Sequence, residues 1–378
     1  MKILFICGSL DPGRDGVGDY SRRFSGELIQ QGHDITILAL YDEIVTTFTN
    51  ELQESEDSKI AVLRIPKNTD KKKRFHEAGK YIATFDPDWL SLQFVPFSFQ
   101  KKGLPFRLAN QLAKIGKGRN WHIMYHELWV EPINSKRAII CFLQKKIIKD
   151  LDDNLVPKVT HTTIPIYKLR LNSIGIVANN LNLFSNIPVS THEQGIAFNT
   201  LKLDEEVFKI CFFSQITHKE EVFLFIDQLI NDLIKHNLKF QIILLGGIES
   251  SMKAFANKLE ENPMIAGNII RTGHLDKVAI SLVLKQCHLG ISPVPRQYLG
   301  KSGSAIAFLT HGVPVAAPNA EKQYISFDNG FFESAIFKSI LLKPDITNLR
   351  NTIKSAKAVK AFFSIESIAR KYISDLNN

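Results

Sequence analysis

The sequence has no stretch approaching the roughly 18 to 20 uncharged apolar residues that a membrane-spanning helix requires. Its opening run, Met1-Lys-Ile-Leu-Phe-Ile-Cys-Gly8, is too short for a secretory signal and reads as a buried strand. Cysteine is scarce: Cys7, Cys141, Cys211 and Cys287 show no Cys-x-x-Cys spacing, and each lies among apolar residues. Four buried free thiols in a reducing cytoplasm are therefore expected, with no disulfide framework. The histidines show no metal-ligand spacing, so no metal is expected. Helix-turn-helix, zinc-finger and aromatic RNA-binding signatures are missing too, which argues against a nucleic-acid partner.

What is present is a chain of 378 residues, more than one hydrophobic core usually serves, so two domains are expected. Hydrophobic residues at 44% and charged residues at 22% are ordinary for a globular protein. The net charge of +9 gathers in clusters of the first half, such as Lys71-Lys-Lys-Arg74, Lys101-Lys102, Lys136-Arg137 and Lys145-Lys146. Such clusters suit an anionic partner, either an inner-leaflet membrane surface met peripherally or a phosphate-bearing acceptor; a plain solvated surface explains them equally well.

Strand and helix patterns alternate from the start. Strands are expected at Lys2 to Cys7, Asp34 to Leu40, Ile60 to Ile65, Trp89 to Phe94 and His122 to His126, with shorter ones at Val159 to Thr163 and Ser173 to Ala178. A helix is expected from Tyr20 to Gln31, ended by Gly32. Periodicity fades near 186–206, which reads as a linker, and a second alternation runs from Phe208 onward. Two doubly wound α/β domains follow, 1–185 and 207–359, with ligands expected in a cleft at the carboxyl ends of their strands.

Several residues carry chemistry. Gly13-Arg-Asp-Gly16-Val-Gly18-Asp-Tyr20 follows the first strand and opens a helix, where glycine lets backbone approach a ligand. A dinucleotide site is disfavoured, because the third glycine is missing and only Asp42 stands near the acidic position after the second strand. His126, at the end of a strand, has a near-neutral pKa suited to hydrogen bonding or proton traffic. Glu127 follows it and can orient it. Gly300-Lys-Ser-Gly-Ser304 opens another helix, whose first N–H groups favour an anion while Lys301 and the hydroxyls add donors. It lacks P-loop spacing.

These segments, in this order, resemble the GT-B glycosyltransferases, and in particular glycosyltransferase family 4. The glycine loop with Gly32-His-Asp-Ile-Thr-Ile-Leu38, the Asp88-Trp-Leu-Ser-Leu-Gln93 strand and Trp121-His-Ile-Met-Tyr-His126-Glu127 are similar to first-domain segments of that group. The resemblance implies His126 and Glu127 beside the reacting sugar, and Asp19, Tyr20 and Gln93 on the acceptor side. Gly16 and Gly18 would serve the donor together with Ser214, Gln215, Lys219, Gly246, His274, Arg296, Lys301, Ser302, Gly303 and Ser304. It further implies a nucleoside diphosphate sugar as donor, a hydroxyl acceptor, retention at the anomeric carbon and no cofactor. A last helix, within 360–378, would return to the first domain.

The chain departs from the family in two places. Ser214-Gln215 stands where Gly-Arg is expected, so one cation is missing. The two glutamates of the Glu, seven residues, Glu signature fall at Leu299 and Ala307. Lys301 and Arg296 offer replacement charge. A catalytically inactive relative serving as a transferase subunit, and a GT-B epimerase or phosphorylase, are the competing expectations.

Overall fold

The computed structural model describes residues 1–55, 57–191, 203–204, 206–319, 336 and 338–378. The chain divides into two compact units: 1–163 with 167–181 and 369–378, and 164–166 with 182–368.

In the first unit, β1 (Lys2–Cys7), β2 (Asp34–Asp42), β3 (Thr49–Ser55), β4 (Ser58–Pro66), β5 (Trp89–Phe94), β6 (Asn120–Tyr125), β7 (Val159–Thr162) and β8 (Asn179–Asn180) form one sheet. Its order is β3-β4-β2-β1-β5-β6-β7-β8. All pairings are parallel except that between β3 and β4. At the centre, β1 is apolar on both faces, as a sheet covered by helices on both sides demands, whereas β5 and β6 carry the buried polar Ser91, Gln93 and His122 among their apolar residues. Leu4, Phe5, Ile6, Ile37, Leu38, Leu90 and Leu92 are all fully buried. The chain passes to one side of β1 for β2 and β4, then returns to its other side for β5, so the topological switch point lies between β1 and β5.

The second unit repeats the arrangement with β9 (Phe208–Phe213), β10 (Phe240–Leu245), β11 (Ile269–Gly273), β12 (Leu289–Ile291), β13 (Val315–Ala316) and β14 (Ile340–Leu341). Its order is β11-β10-β9-β12-β13-β14, every pair parallel, with the switch point between β9 and β12. One core packs the Glu220–Lys235 and Glu249–Glu260 helices against the sheet through Phe225, Leu229, Phe255 and Leu259. The other packs the Gly303–Thr310 helix on the opposite face through Phe308. Gly290 in β12 makes that packing possible, because a Cβ there would come within 2.3 Å of the Phe308 ring.

Several expectations shift. Ser173 to Ala178 is turn and coil rather than strand; Gly175 takes a positive φ of 78°, and β8 forms just beyond it. Ile187 and Leu203, in the segment read as a linker, are buried in the second unit's core, while 192–202 and 205 lie outside the described residues. The C-terminal segment joins the first unit from Ala369 on, with Tyr372 fully buried. All four cysteines are buried and free. Among the described residues, no helix is long and apolar enough to cross a membrane. Arg74 is not surface charge at all. It is buried, donates to the Pro66 and Lys67 carbonyls, and stacks 4.0 Å from the Tyr41 ring centroid.

Candidate functional site

In the first unit, the glycine loop closes on itself. Asp15 caps the Gly16–Gln30 helix, its carboxylate accepting from the Gly18 N–H at 2.7 Å. Burial pushes the Asp15 carboxyl above its ordinary value, against the opposing effect of the Gly18 and Val17 N–H groups. Asp19 accepts from the Gly13 N–H at 3.0 Å and pairs with Arg22. Two carboxylates thus already serve the positive end of this helix, a poor place for a phosphate. Gly18 is required by the fold, since a Cβ there would lie 2.7 Å from the Ser9 carbonyl oxygen. Gly16 has open space where a Cβ would sit. Gly18→Ala should therefore cost about 1–3 kcal/mol of stability. Gly16→Ala should stay within about 0.5 kcal/mol of the parent. Urea titration followed by tryptophan fluorescence reads both, because Trp89, Trp121 and Trp129 all belong to the first unit.

Asp42 is the last residue of β2 and fully buried. It takes the Arg64 guanidinium side-on, Oδ2 from Nε at 2.8 Å and Oδ1 from Nη2 at 3.0 Å. It also accepts from the Leu10, Ile44 and Val45 N–H groups. Its oxygens are occupied, so it does not stand in for the ribose-binding acid of a dinucleotide site.

Tyr20, Gln93 and His126 come together beside the first switch point. His126 follows β6, its own N–H donating to the Phe94 carbonyl. Its Nε2 lies 2.9 Å from Gln93 Oε1, and the Tyr20 ring stands edge-on at 4.8 Å between centroids. His126 and Tyr20 are 6% and 5% exposed, so Tyr20 acts here as the wall behind the histidine. Burial also drives the Tyr20 phenol above its ordinary pKa. Glu127 is half-buried, one residue further on.

In the second unit, a surface pocket of about 480 Å³ opens at the carboxyl ends of the strands. Ser214 to Thr217 after β9, Ile248, Ser251 and Met252 after β10 and Pro293 to Pro295 after β12 line it, which sets it at the second switch point. Ser214 adopts φ of 63°, the left-handed conformation that favours glycine. The serine that replaces the expected glycine therefore keeps a glycine's backbone. Gly246 and Gly247, with φ of 65° and 83°, turn the chain away from the end of β10. Lys219 is the N-cap position of the Glu220–Lys235 helix, and its Nζ donates to Asn319 Oδ1 at 2.8 Å. The Asn319 amide in turn donates to the Pro293 carbonyl at 2.9 Å, which ties the ammonium to the pocket wall.

Arg296 donates from Nε to the Ala317 carbonyl at 3.0 Å. Lys301 ends the 3-10 turn that precedes Ser302. Ser302 is a working N-cap: its hydroxyl accepts from the Ala305 N–H at 3.3 Å and lies 3.0 Å from the Ser304 hydroxyl, with Gly303 between them. Leu299 and Ala307, where the signature glutamates would fall, are 3% and 0% exposed and belong to the core. A carboxylate at either place would be buried among apolar side chains. His274 is exposed beyond β11, an edge strand separated from β9 by β10, and the structure does not bring it to the pocket wall.

Four residues at these sites were not anticipated. Asn319 holds Lys219, and Ser91, His122 and His161 extend the polar contacts of Gln93 into the sheet. Polar residues inside apolar strands, as in Trp121-His122-Ile-Met-Tyr-His126, were the available signal. Among the described residues, no three His, Cys, Asp or Glu side chains converge as a metal site.

No protein-family model and no curated protein matches the chain. Solved structures do, along its whole length. Anabaena HepE in complex with UDP and glucose is 14% identical with a TM-score of 0.61, covering 100% of this chain and 99% of that one. The fold is GT-B. An E. coli trehalose-6-phosphate protein bound with UDP-2-fluoro glucose is similar to this GT-B chain at 10% identity and a TM-score of 0.63, covering 100% and 99%. The UDP-GlcNAc 2-epimerase of Methanocaldococcus jannaschii is 12% identical with a TM-score of 0.52, again covering 100% and 99%. The GT-B chain thus shares its architecture with sugar-nucleotide proteins of more than one activity.

Proposed function

We propose that the protein is a nucleotide-sugar-dependent glycosyltransferase, similar to glycosyltransferase family 4, that moves a sugar from a nucleoside diphosphate sugar to a hydroxyl acceptor. The observation that carries this reading is the ammonium of Lys219, fixed through Asn319 to the wall of the pocket at the second switch point. In an open α/β sheet that is where a ligand belongs. A diphosphate bound there would gain negative charge as the glycosidic bond breaks, and a held cation stabilises that change without reorganising. Lys301, Arg296 and the N–H groups that open the Gly303–Thr310 helix are the further candidates for the phosphates. Gly246, with open space where a Cβ would sit, leaves room at the end of β10. His126 is assigned to the acceptor side, where Gln93 and Tyr20 hold its ring. Complexes of the similar structures with UDP, with UDP and glucose, and with UDP-2-fluoro glucose make UDP-glucose the first donor to try.

The test is calorimetric titration with UDP, followed by incubation with UDP-, GDP- and dTDP-sugars and assay of released nucleoside diphosphate. Lys219→Ala should weaken the preferred nucleoside diphosphate about ten- to hundredfold, the loss of one charge-assisted hydrogen bond of about 1.5–3 kcal/mol. Unchanged affinity in this variant would remove the assignment of the donor site. Turnover of the sugar nucleotide without any acceptor alcohol would instead favour epimerisation.

A further inference from the structure

His126 is one end of a buried chain of hydrogen bonds that crosses three strands. Its Nε2 meets Gln93 Oε1 at 2.9 Å, and Gln93 Nε2 meets the Ser91 hydroxyl at 2.8 Å. Ser91 Oγ is 2.7 Å from His122 Nδ1, and His122 Nε2 is 3.0 Å from His161 Nδ1. His161 Nε2 is 2.9 Å from Asp375 Oδ2, on the Ile365–Asn377 helix. Gln93, Ser91, His122 and His161 are all at most 1% exposed, whereas the Asp375 side chain, at 19%, reaches solvent and accepts from Lys371 Nζ at 2.7 Å. A run of polar side chains in the middle of a parallel sheet is costly unless every member is satisfied. Here each member has a partner on both sides.

We propose that Asp375 is a positioning residue that dictates, through this chain, which nitrogen of His126 carries the proton. An ionised carboxylate only accepts, so His161 must donate from Nε2 and keep its lone pair on Nδ1. His122 must then donate from Nε2 to that lone pair and accept at its own Nδ1. Ser91 donates its hydroxyl proton to His122 and accepts from the Gln93 amide nitrogen. The Gln93 oxygen is thereby turned toward His126, which must donate from Nε2. Every bond points the same way, so the proton of His126 sits on Nε2 rather than on Nδ1. In the reversed chain the His161 lone pair would face a carboxylate, which is repulsive.

The surroundings favour neutral His122 and His161. Burial lowers His122 well below the ordinary histidine value, and the nearby His161 and His126 push the same way. Burial likewise lowers His161, against the raising effect of Asp375. The Asp375 carboxyl is held below its ordinary value by the bond from His161, with a further contribution from Lys371. The rings of Tyr372, edge-on 5.0 Å from His122, and of Tyr20, beside His126, close the sides.

The test is proton–nitrogen correlation NMR on the full chain with isotope-labelled histidine, the His126 signals assigned with His126→Gln. The parent should show His126 as a single Nε2–H tautomer. Asp375→Ala removes the anchor, so His126 should move to a mixture of tautomers. Asp375→Asn should keep the parental tautomer, because its carbonyl oxygen can accept from both Lys371 and His161. Ser91→Ala, which cuts the chain in the middle, should reproduce the effect of Asp375→Ala. A parental Nδ1–H tautomer, or a His126 tautomer indifferent to Asp375→Ala and Ser91→Ala, would overturn the proposal. Its catalytic meaning rests on the assignment of His126 to sugar transfer. With about half the molecules carrying the wrong tautomer, kcat for transfer should fall at least about twofold in Asp375→Ala, with the donor's affinity unchanged. A tautomer shift in a protein that transfers no sugar would leave the chain standing and remove the transferase reading.

Discussion

His126→Ala should lower kcat for sugar transfer by about two to four orders of magnitude, the range that a positioned proton-transfer group contributes, while calorimetry finds the donor bound as in the parent. The separation follows from where the groups sit. His126 follows a strand of the first unit, and the pocket, to whose wall Lys219 is tied through Asn319, lies in the second. His126→Gln sharpens the result, since a glutamine amide can still donate to Gln93 Oε1 but offers no imidazole nitrogen to take a proton. Both variants should therefore be folded and slow. Parental activity in His126→Gln would reduce the residue to a structural role, as a ring packed between Tyr20 and Gln93.

The largest effect on stability is expected from Asp42→Ala, a loss of about 3–5 kcal/mol at neutral pH. Five donors lose their acceptor at once: two from Arg64 and the N–H groups of Leu10, Ile44 and Val45. Arg64, only 7% exposed, would be left with the looser 3.4 Å contacts to Glu51 and Asp11. Burial works against the charge of Asp42, yet the Arg64 guanidinium and the Ile44 and Val45 N–H groups outweigh it and hold the carboxyl below its ordinary value. A carboxyl depressed in the folded state stabilises above its unfolded pKa of about 3.9 and loses that contribution as pH falls through the folded value. The gap between parent and variant should thus be full at neutral pH and narrow below about pH 4. Urea titrations at several pH values, read by tryptophan fluorescence, measure it. A pH-independent gap would mean that lost packing, rather than the ion pair, sets the difference. The double variant Asp42→Ala with Arg64→Met should recover much of the loss, because it leaves no buried charge unpaired.

How much of this could be read from the sequence differed by element. Trp89–Phe94 and Lys2–Cys7 were legible to the residue, since continuous apolar runs bounded by turns leave little choice. Thr49–Ser55 was not. It is polar, it pairs antiparallel at the sheet edge, and its one large apolar residue, Leu52, is 65% exposed. The alternation of elements showed two doubly wound domains, but the strand orders that fix the two switch points came only from the structure. Lys219 was visible as a cation after a strand, and Ser214 as the occupant of a glycine position, although only backbone geometry shows that the serine keeps the glycine conformation. The histidine chain was out of reach, because its links join residues 31, 39 and 214 positions apart. Spacing rules see neighbours along a helix or strand, whereas these contacts exist only after the strands are placed side by side.

The C-terminal helix has a consequence for how the protein is made. Tyr372 lies fully buried between Phe5 and Phe24, with ring centroids 6.2 and 5.2 Å away. On a ribosome adding about 5–20 residues per second, those two phenylalanines wait roughly 20–70 s for their partner. Meanwhile almost all of the second unit is synthesised and can finish first. Birth order and folding order are therefore inverted, and the earliest strands spend that interval with an uncovered aromatic face, the period in which a nascent chain most needs a chaperone.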